Sequence, residues 1–244
     1  MTSSLPSLIA HRGAAGLAPE NTMESVVVAI HAGAQFVSCT VRMTKDGVAI
    51  LMADETLDRT TNGHGHVSET AYDDINALEA GSWHSDHFAG LSIPTLAEVL
   101  DECINRNVGL LIELRPTQGK DSHLAEAALD VISRVVDDPS QILIASRSPA
   151  ILEIAMDMAP EYPRAIIFDH VAPDNWPEIV AYLKPGALIL NIKAMPDAMR
   201  DGFVDTGLPL IAAVINNAVT AQDLLGHGFT SVLSDVPDLL HHEN

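Results

Sequence analysis

The chain has 244 residues, with 33 acidic against 13 basic side chains and a formal charge of −20 with histidine neutral. That balance argues against a nucleic-acid or anionic-membrane surface, both of which carry the same sign. Hydrophobic residues make up 47% and aromatics only 4%, so the apolar content is mostly aliphatic, ample for a large core and wrong for disorder.

The two cysteines, Cys39 and Cys103, offer no disulfide framework and no paired spacing for zinc, which fits a reducing compartment. Met1 to Leu5 lacks a basic stretch leading into an apolar run, and no segment approaches the ~18 apolar residues of a membrane span. The expectation is a cytoplasmic protein, one domain over residues 1–244, with no membrane span and no nucleic-acid partner.

Taken in chain order, a short apolar run at 8–10 is followed by a helical pattern at 22–32, then by apolar runs at 36–41 and 48–52. A helix is predicted at 95–106 and a strand at 110–112, then a helix at 122–136 and a strand at 142–144. The alternation continues with helices at 149–158, 175–183, 196–205 and 220–225 and strands at 165–167, 188–190, 210–215 and 232–233. Apolar runs that are continuous rather than alternating mark strands buried on both faces, as in a parallel sheet covered by helices.

Thr44-Lys45-Asp46-Gly47 breaks the rhythm: a tight Asp-Gly turn leaves no room for the crossover that a parallel pair needs. One strand of the pair within 36–52 is therefore antiparallel. Eight parallel strands remain, at about 30 residues per unit, the economy of a (β/α)₈ TIM barrel with one extra antiparallel hairpin strand. An open doubly wound sheet is the alternative, but no Gly-rich dinucleotide loop follows the first strand.

In a barrel the site lies at the carboxyl ends of the strands. The first strand ends in His11-Arg12-Gly13, an imidazole beside a fixed cation with a glycine that permits close backbone approach, a set suited to a phosphate. Pro19-Glu20-Asn21-Thr22 reads as a helix start with Asn21 or Thr22 as cap. That reading leaves Glu20 over, placed to orient Arg12. In Ile112-Glu113-Leu114-Arg115, alternation puts Glu113 and Arg115 on one face, where a buried carboxylate and guanidinium need a partner or a ligand.

Several ordered segments resemble the glycerophosphodiester phosphodiesterase family. They are Ala10-His11-Arg12-Gly13, Pro19-Glu20-Asn21-Thr22, Thr44-Lys45-Asp46-Gly47, Thr56-Leu57-Asp58-Arg59-Thr60-Thr61-Asn62-Gly63, Ile93-Pro94-Thr95-Leu96 and Ile112-Glu113-Leu114. Ser146 and the stretch Ser234-Asp235-Val236-Pro237-Asp238-Leu239-Leu240 extend the likeness over nearly the whole chain. The resemblance implies a barrel that hydrolyses glycerophosphodiesters to glycerol 3-phosphate and an alcohol, using two histidines and a divalent cation, Mg²⁺ or Ca²⁺. It assigns catalysis to His11 with Arg12, the phosphate ligand to Arg12 and one metal position to Glu113; the residues themselves add Arg115 as a second cation for a phosphate, with Glu20 in support.

The chain departs from that pattern at the site. Ser38 and Thr40 stand where the resemblance implies a Glu-x-Asp metal pair, and two neutral hydroxyls do not replace two anionic oxygens for Mg²⁺ or Ca²⁺. Met52-Ala53-Asp54 stands where a His-Asp pair is implied, and Ala53 transfers no proton. Arg115 replaces a lysine, and Ile211 to Asn216 lacks the family's aromatic near Ala213. Asp54, as an acid of raised pKa in a desolvated pocket, and His64 or His66 in a mobile loop are the candidates to replace the missing histidine.

His84 and His87, three apart, invite a metal reading against a surface one. Cys39 points away from Ser38 and Thr40 and reads as a small buried apolar residue. His170 is a candidate for the barrel mouth, and His241-His242 reads as a solvated tail. Two functions remain: a phosphodiesterase with altered ligands or substrate, and a barrel that binds a phosphorylated small molecule (a glycerophosphodiester, a glycerol phosphate or phosphate) with little or no turnover.

Overall fold

The computed structural model describes residues 5–117 and 119–239. It contains β1 (Leu8–Ala10), α1 (Met23–His31), β2 (Phe36–Met43), β3 (Ala49–Leu51), α2 (Tyr72–Asn76), α3 (Leu96–Asn105), β4 (Gly109–Leu114), α4 (Asp121–Val135) and β5 (Ile142–Ser146). There follow α5 (Pro149–Met158), β6 (Arg164–Phe168), α6 (Trp176–Leu183), β7 (Ala187–Asn191), α7 (Asp197–Val204), β8 (Leu210–Ala213), α8 (Ala218–Gly226) and β9 (Ser231–Ser234). Every predicted strand is present, and each predicted helix starts and ends close to its expected bounds.

Eight strands run parallel in the order β1-β9-β8-β7-β6-β5-β4-β2, and β1 pairs with β2 at Ala10↔Val37 to close the ring. This is the TIM barrel. β3 pairs antiparallel with the far end of β2, from Val41↔Leu51 to Met43↔Ala49, outside the ring. The turn between them is fixed by Thr44, whose N–H donates to the Val48 carbonyl at 3.0 Å while its Oγ1 accepts from Val48 N–H at 3.0 Å. Gly47 sits at φ +89°, a conformation L side chains resist.

Alternation divides each strand between two layers. Ile9, Leu111, Leu143, Ile167, Ile189, Ile211 and Leu233 fill the barrel interior, while Cys39, Ile112, Leu114 and Ile144 face outward under the helices. The expectation for Cys39 is thus met. Thr22 caps α1 by accepting from Ser25 N–H at 3.2 Å, and Thr95 and Glu98 form a reciprocal capping box on α3. Between β3 and α3 the chain builds a satellite core from Leu57, Val67, Ile75 and Ile93 under Ile50 and Met52. Its α2, of five residues, is too short to announce itself by periodicity.

Candidate functional site

The inward-facing positions do not stop where the strands end. A further step of two residues beyond the interior residue of each strand leads from Ile9 to His11, from Leu111 to Glu113 and Arg115, and from Ala145 to Arg147. The same step leads from Ile167 to Asp169, from Ile189 to Asn191 and from Leu233 to Asp235. Apolar layers therefore give way to a polar ring at the carboxyl-terminal mouth. His11, Arg12, Ser38, Glu113, Arg115 and Asp169 line a cavity there of about 140 Å³. That is below the ~300–1,000 Å³ of pockets for drug-sized molecules, so the mouth admits a small ligand. A cavity of about 310 Å³ at the opposite end, among Phe36, Ile142, Leu143 and Pro163, has no titratable residue in its lining.

His11 and Asp235 lie 224 positions apart in sequence, but β1 and β9 are paired at Ala10↔Ser234, and His11 Nδ1 meets Asp235 Oδ1 at 2.7 Å. Asn216 fixes the carboxylate from the other side. Its Nδ2 donates to Asp235 Oδ2 at 2.7 Å, and its Oδ1 accepts from Asp235 N–H at 2.8 Å and Ser234 Oγ at 3.0 Å. With Nδ1 directed at Asp235, Nε2 is the ring nitrogen left for proton transfer. Burial pushes the Asp235 carboxyl up, but hydrogen bonds from His11 and Asn216 outweigh it and hold the group below its ordinary value.

Arg12 follows in the left-handed region, φ 51°, a strained backbone retained by its surroundings. Its N–H donates to Ser38 Oγ at 3.0 Å and its carbonyl accepts from Asn21 N–H at 3.0 Å. Gly13 beside it cannot carry a side chain, because a Cβ would lie 2.3 Å from Ser25 Oγ. Glu20 orients the guanidinium as the sequence indicates, with Arg12 Nη1 donating to Oε1 at 2.8 Å. It is also held by Arg59, whose Nη2 donates to Oε1 at 2.7 Å. Burial raises the Glu20 pKa, and Arg59 and Arg12 together more than reverse that. Arg59 also binds Asp54 through Nε.

That pair overturns the role considered for Asp54. The Arg59 hydrogen bond, ahead of burial, holds the Asp54 carboxyl below its usual range, so it is an ionised anchor and not an acid of raised pKa. His64 is 85% exposed and bonded to Asp58 at 2.9 Å, and His66 is exposed beside Glu55 and Arg42. Neither lines the mouth cavity. His84 packs edge-on against Trp83 and Phe88, and His87 is exposed. His170 is exposed, and its neighbour Asp169 lines the mouth instead. Ser146 is buried, donating to the Leu114 carbonyl at 2.8 Å. His241 and His242 lie outside the described residues.

Glu113 is the centre of the third group. Arg115 Nε donates to its Oε1 at 2.7 Å, Arg147 Nη2 to the same oxygen at 3.1 Å, and Thr40 Oγ1 to its Oε2 at 3.2 Å. Arg147 Nη2 also reaches Asp169 Oδ2 at 2.5 Å. A chain of alternating charge, Arg115, Glu113, Arg147 and Asp169, thus runs round the mouth from β4 past β5 to the end of β6. Burial raises the Glu113 pKa, but the two guanidinium charges prevail and keep it ionised and below its ordinary value.

These residues do not fit a divalent cation. Mg²⁺ and Ca²⁺ are held by carboxylates; Ser38 and Thr40 contribute neutral hydroxyls, and both oxygens of Glu113 are engaged by protein donors. Among the described residues no three His, Cys, Asp or Glu side chains converge as a metal-holding group.

Glu20, Glu113 and Asp235 share one consequence. Each has its pKa lowered by folding, so its stabilisation is complete above the unfolded value of ~4 and is lost as pH falls through the folded one. Thermal unfolding followed by circular dichroism is expected to give a level melting temperature from neutrality to about pH 5 and a steep fall below about pH 4. A melting temperature that held down to pH 3 would contradict this.

The family model for glycerophosphoryl diester phosphodiesterases matches residues 11–239, and the chain belongs to that family. It is 31% identical over 253 residues to a glycerophosphodiester phosphodiesterase of Bacillus subtilis (strain 168), covering 96% of this chain and 84% of the relative. It is 26% identical over 233 residues to a glycerophosphodiester phosphodiesterase of Caldanaerobacter subterraneus subsp. tengcongensis, covering 96% and 95%. The fold matches a phosphodiesterase of Oleispira antarctica solved in complex with the product sn-glycerol-3-phosphate, with a TM-score of 0.92 and 29% identity over 97% of this chain and 96% of that one.

Proposed function

We propose that this family member binds a phosphate-containing small molecule at the barrel mouth and performs the family's metal-dependent hydrolysis of glycerophosphodiesters weakly or not at all. Glu113 carries this reading. The one carboxylate left of the implied metal set is taken up by Arg115, Arg147 and Thr40. Ala53, buried in place of the second histidine, removes a positioned acid/base group, a loss of ~10²–10⁴ in rate.

His11 remains as the one histidine among the described residues on the cavity, oriented by Asp235. Arg12, braced by Glu20, and Arg115 supply the charge for a phosphate, and the complex of the Oleispira relative with sn-glycerol-3-phosphate supports that ligand class. The His11–Asp235 pair also favours a second reading, a phosphodiesterase working with altered ligands.

Calorimetric titration with inorganic phosphate and sn-glycerol 3-phosphate tests the binding half. Both are expected to bind at millimolar concentration or below. Arg12→Ala is expected to weaken binding by ~10-fold or more, the worth of a hydrogen bond to a charged group. Absence of binding by either compound at millimolar concentration would overturn the reading.

A further inference from the structure

We infer that the guanidinium groups of Arg115 and Arg147 take the place of the divalent cation, making the mouth a metal-independent receptor for a small phosphate monoester that displaces Glu113 from them. The inference rests on the proposed reading that the mouth binds a phosphorylated ligand, and it specifies which ligand and by what means.

Charge bookkeeping around the mouth is the first support. Arg12, Arg59, Arg115 and Arg147, four of the chain's nine arginines, are paired there with Glu20, Asp54, Glu113 and Asp169. These four cations and four anions balance one another, and Asp235, held by His11 and Asn216, is a further carboxylate at the mouth. Carboxylates at positions 38 and 40 would add two negative charges and repel a phosphate unless a cation were bound. Ser38 and Thr40 add none. Against a chain charge of −20, these guanidinium groups are the local positive charge that an incoming anion can take from its carboxylate partners.

Unused donors are the second support. The Nε atoms of Arg12 and Arg147 are buried and have no hydrogen-bond partner among the described residues. A buried donor left unpaired is costly, and Arg12, which lines the cavity, is placed to offer its guanidinium fork to a tetrahedral anion with several acceptor oxygens.

Competition with Glu113 selects the class of anion. A ligand that draws Arg115 and Arg147 to itself must outbid a carboxylate of one negative charge already held at 2.7 and 3.1 Å. A phosphate monoester carries about −1.5 to −2 at neutral pH, whereas a diester carries one charge. The monoester wins that exchange and the diester does not. Glu113, in ligating no metal, becomes the internal anion that keeps the two guanidinium groups aligned until a stronger one arrives.

Calorimetry on the full chain tests this with sn-glycerol 3-phosphate as monoester and glycerophosphocholine as diester, after EDTA treatment and again with excess Mg²⁺ or Ca²⁺. Monoester affinity is expected to agree within about twofold in all three conditions and to exceed diester affinity by ~10-fold or more. Arg147→Ala is expected to weaken the monoester ~10-fold. Glu113→Gln, which removes the competitor and keeps the shape, is expected to tighten it several-fold, so a poorly folded arginine variant does not decide the matter.

Binding that appears only with a cation, or is abolished by Glu113→Gln, would overturn the metal-free receptor while leaving a phosphate-binding mouth in place. Equal affinity for the diester would overturn the monoester selection. No binding of either probe in any condition would overturn both this inference and the reading beneath it.

Discussion

The triple substitution Ser38→Glu, Thr40→Asp, Ala53→His is expected to gain less than ~10-fold in turnover of glycerophosphocholine, and the addition of Arg147→Ala to raise it by ~10² or more. The triple change returns two carboxylates and an acid/base group, but Glu113 remains bonded to Arg115 and Arg147. A cation entering between Glu113 and the new carboxylates must strip those hydrogen bonds and sit against two guanidinium charges. Arg147→Ala removes one of them and leaves Asp169, already partly exposed, to water. Formation of glycerol 3-phosphate with Mg²⁺ is read by ³¹P NMR, and thermal unfolding confirms that each variant is folded. Full activity in the triple variant would mean that Arg147 does not contend for Glu113.

The second large effect is on stability. Glu113→Gln is expected to lower the melting temperature at pH 7 by about 4–8 °C, since each kcal/mol shifts a chain of this size by ~2–4 °C. The loss is set at about 2 kcal/mol, below the ~3–5 kcal/mol for breaking a fully buried pair, because Arg115 and Arg147 retain some solvent. Their side chains are 21% and 32% exposed against 12% for Glu113.

Acid sensitivity should change in the same variant. Glu113 in the parent stabilises the fold above its unfolded pKa and loses that contribution as pH falls through its depressed folded one. Glutamine does not titrate, so the variant's melting temperature should fall less steeply below about pH 4. A variant more stable than its parent at neutrality would show that Glu113 burdens the mouth instead of anchoring it. Reduced stability together with tighter monoester binding is the joint signature of an internal anion in a ligand's place.

The barrel was legible because strands buried on both faces announce themselves as apolar runs, and the Asp46-Gly47 turn alone identified the antiparallel strand. The site was legible where its partners are close in sequence. Glu20 lies eight positions from Arg12, and Glu113 lies two from Arg115.

Partners brought together by strand register were not legible. Arg147 reaches Glu113 because β4 and β5 pair at Glu113↔Ala145, and Asp235 reaches His11 through the pairing of β1 with β9. Counting two residues onward from the inward-facing Ala145, Ile167, Ile189 and Leu233 is the signal that would have found Arg147, Asp169, Asn191 and the pairing role of Asp235. Asp54 failed for another reason. Its environment is set by Arg59 on the following turn, and a desolvation argument made without that cation has the wrong sign.

Glu113 is either closed to a cation by its arginines or open to one, and ³¹P NMR of glycerophosphocholine with excess protein, with and without Mg²⁺ or Ca²⁺ and beside His11→Ala, separates the two most directly. The expected spectrum shows the diester unchanged in every sample. A glycerol 3-phosphate resonance that grows only with the cation and disappears in His11→Ala would contradict it.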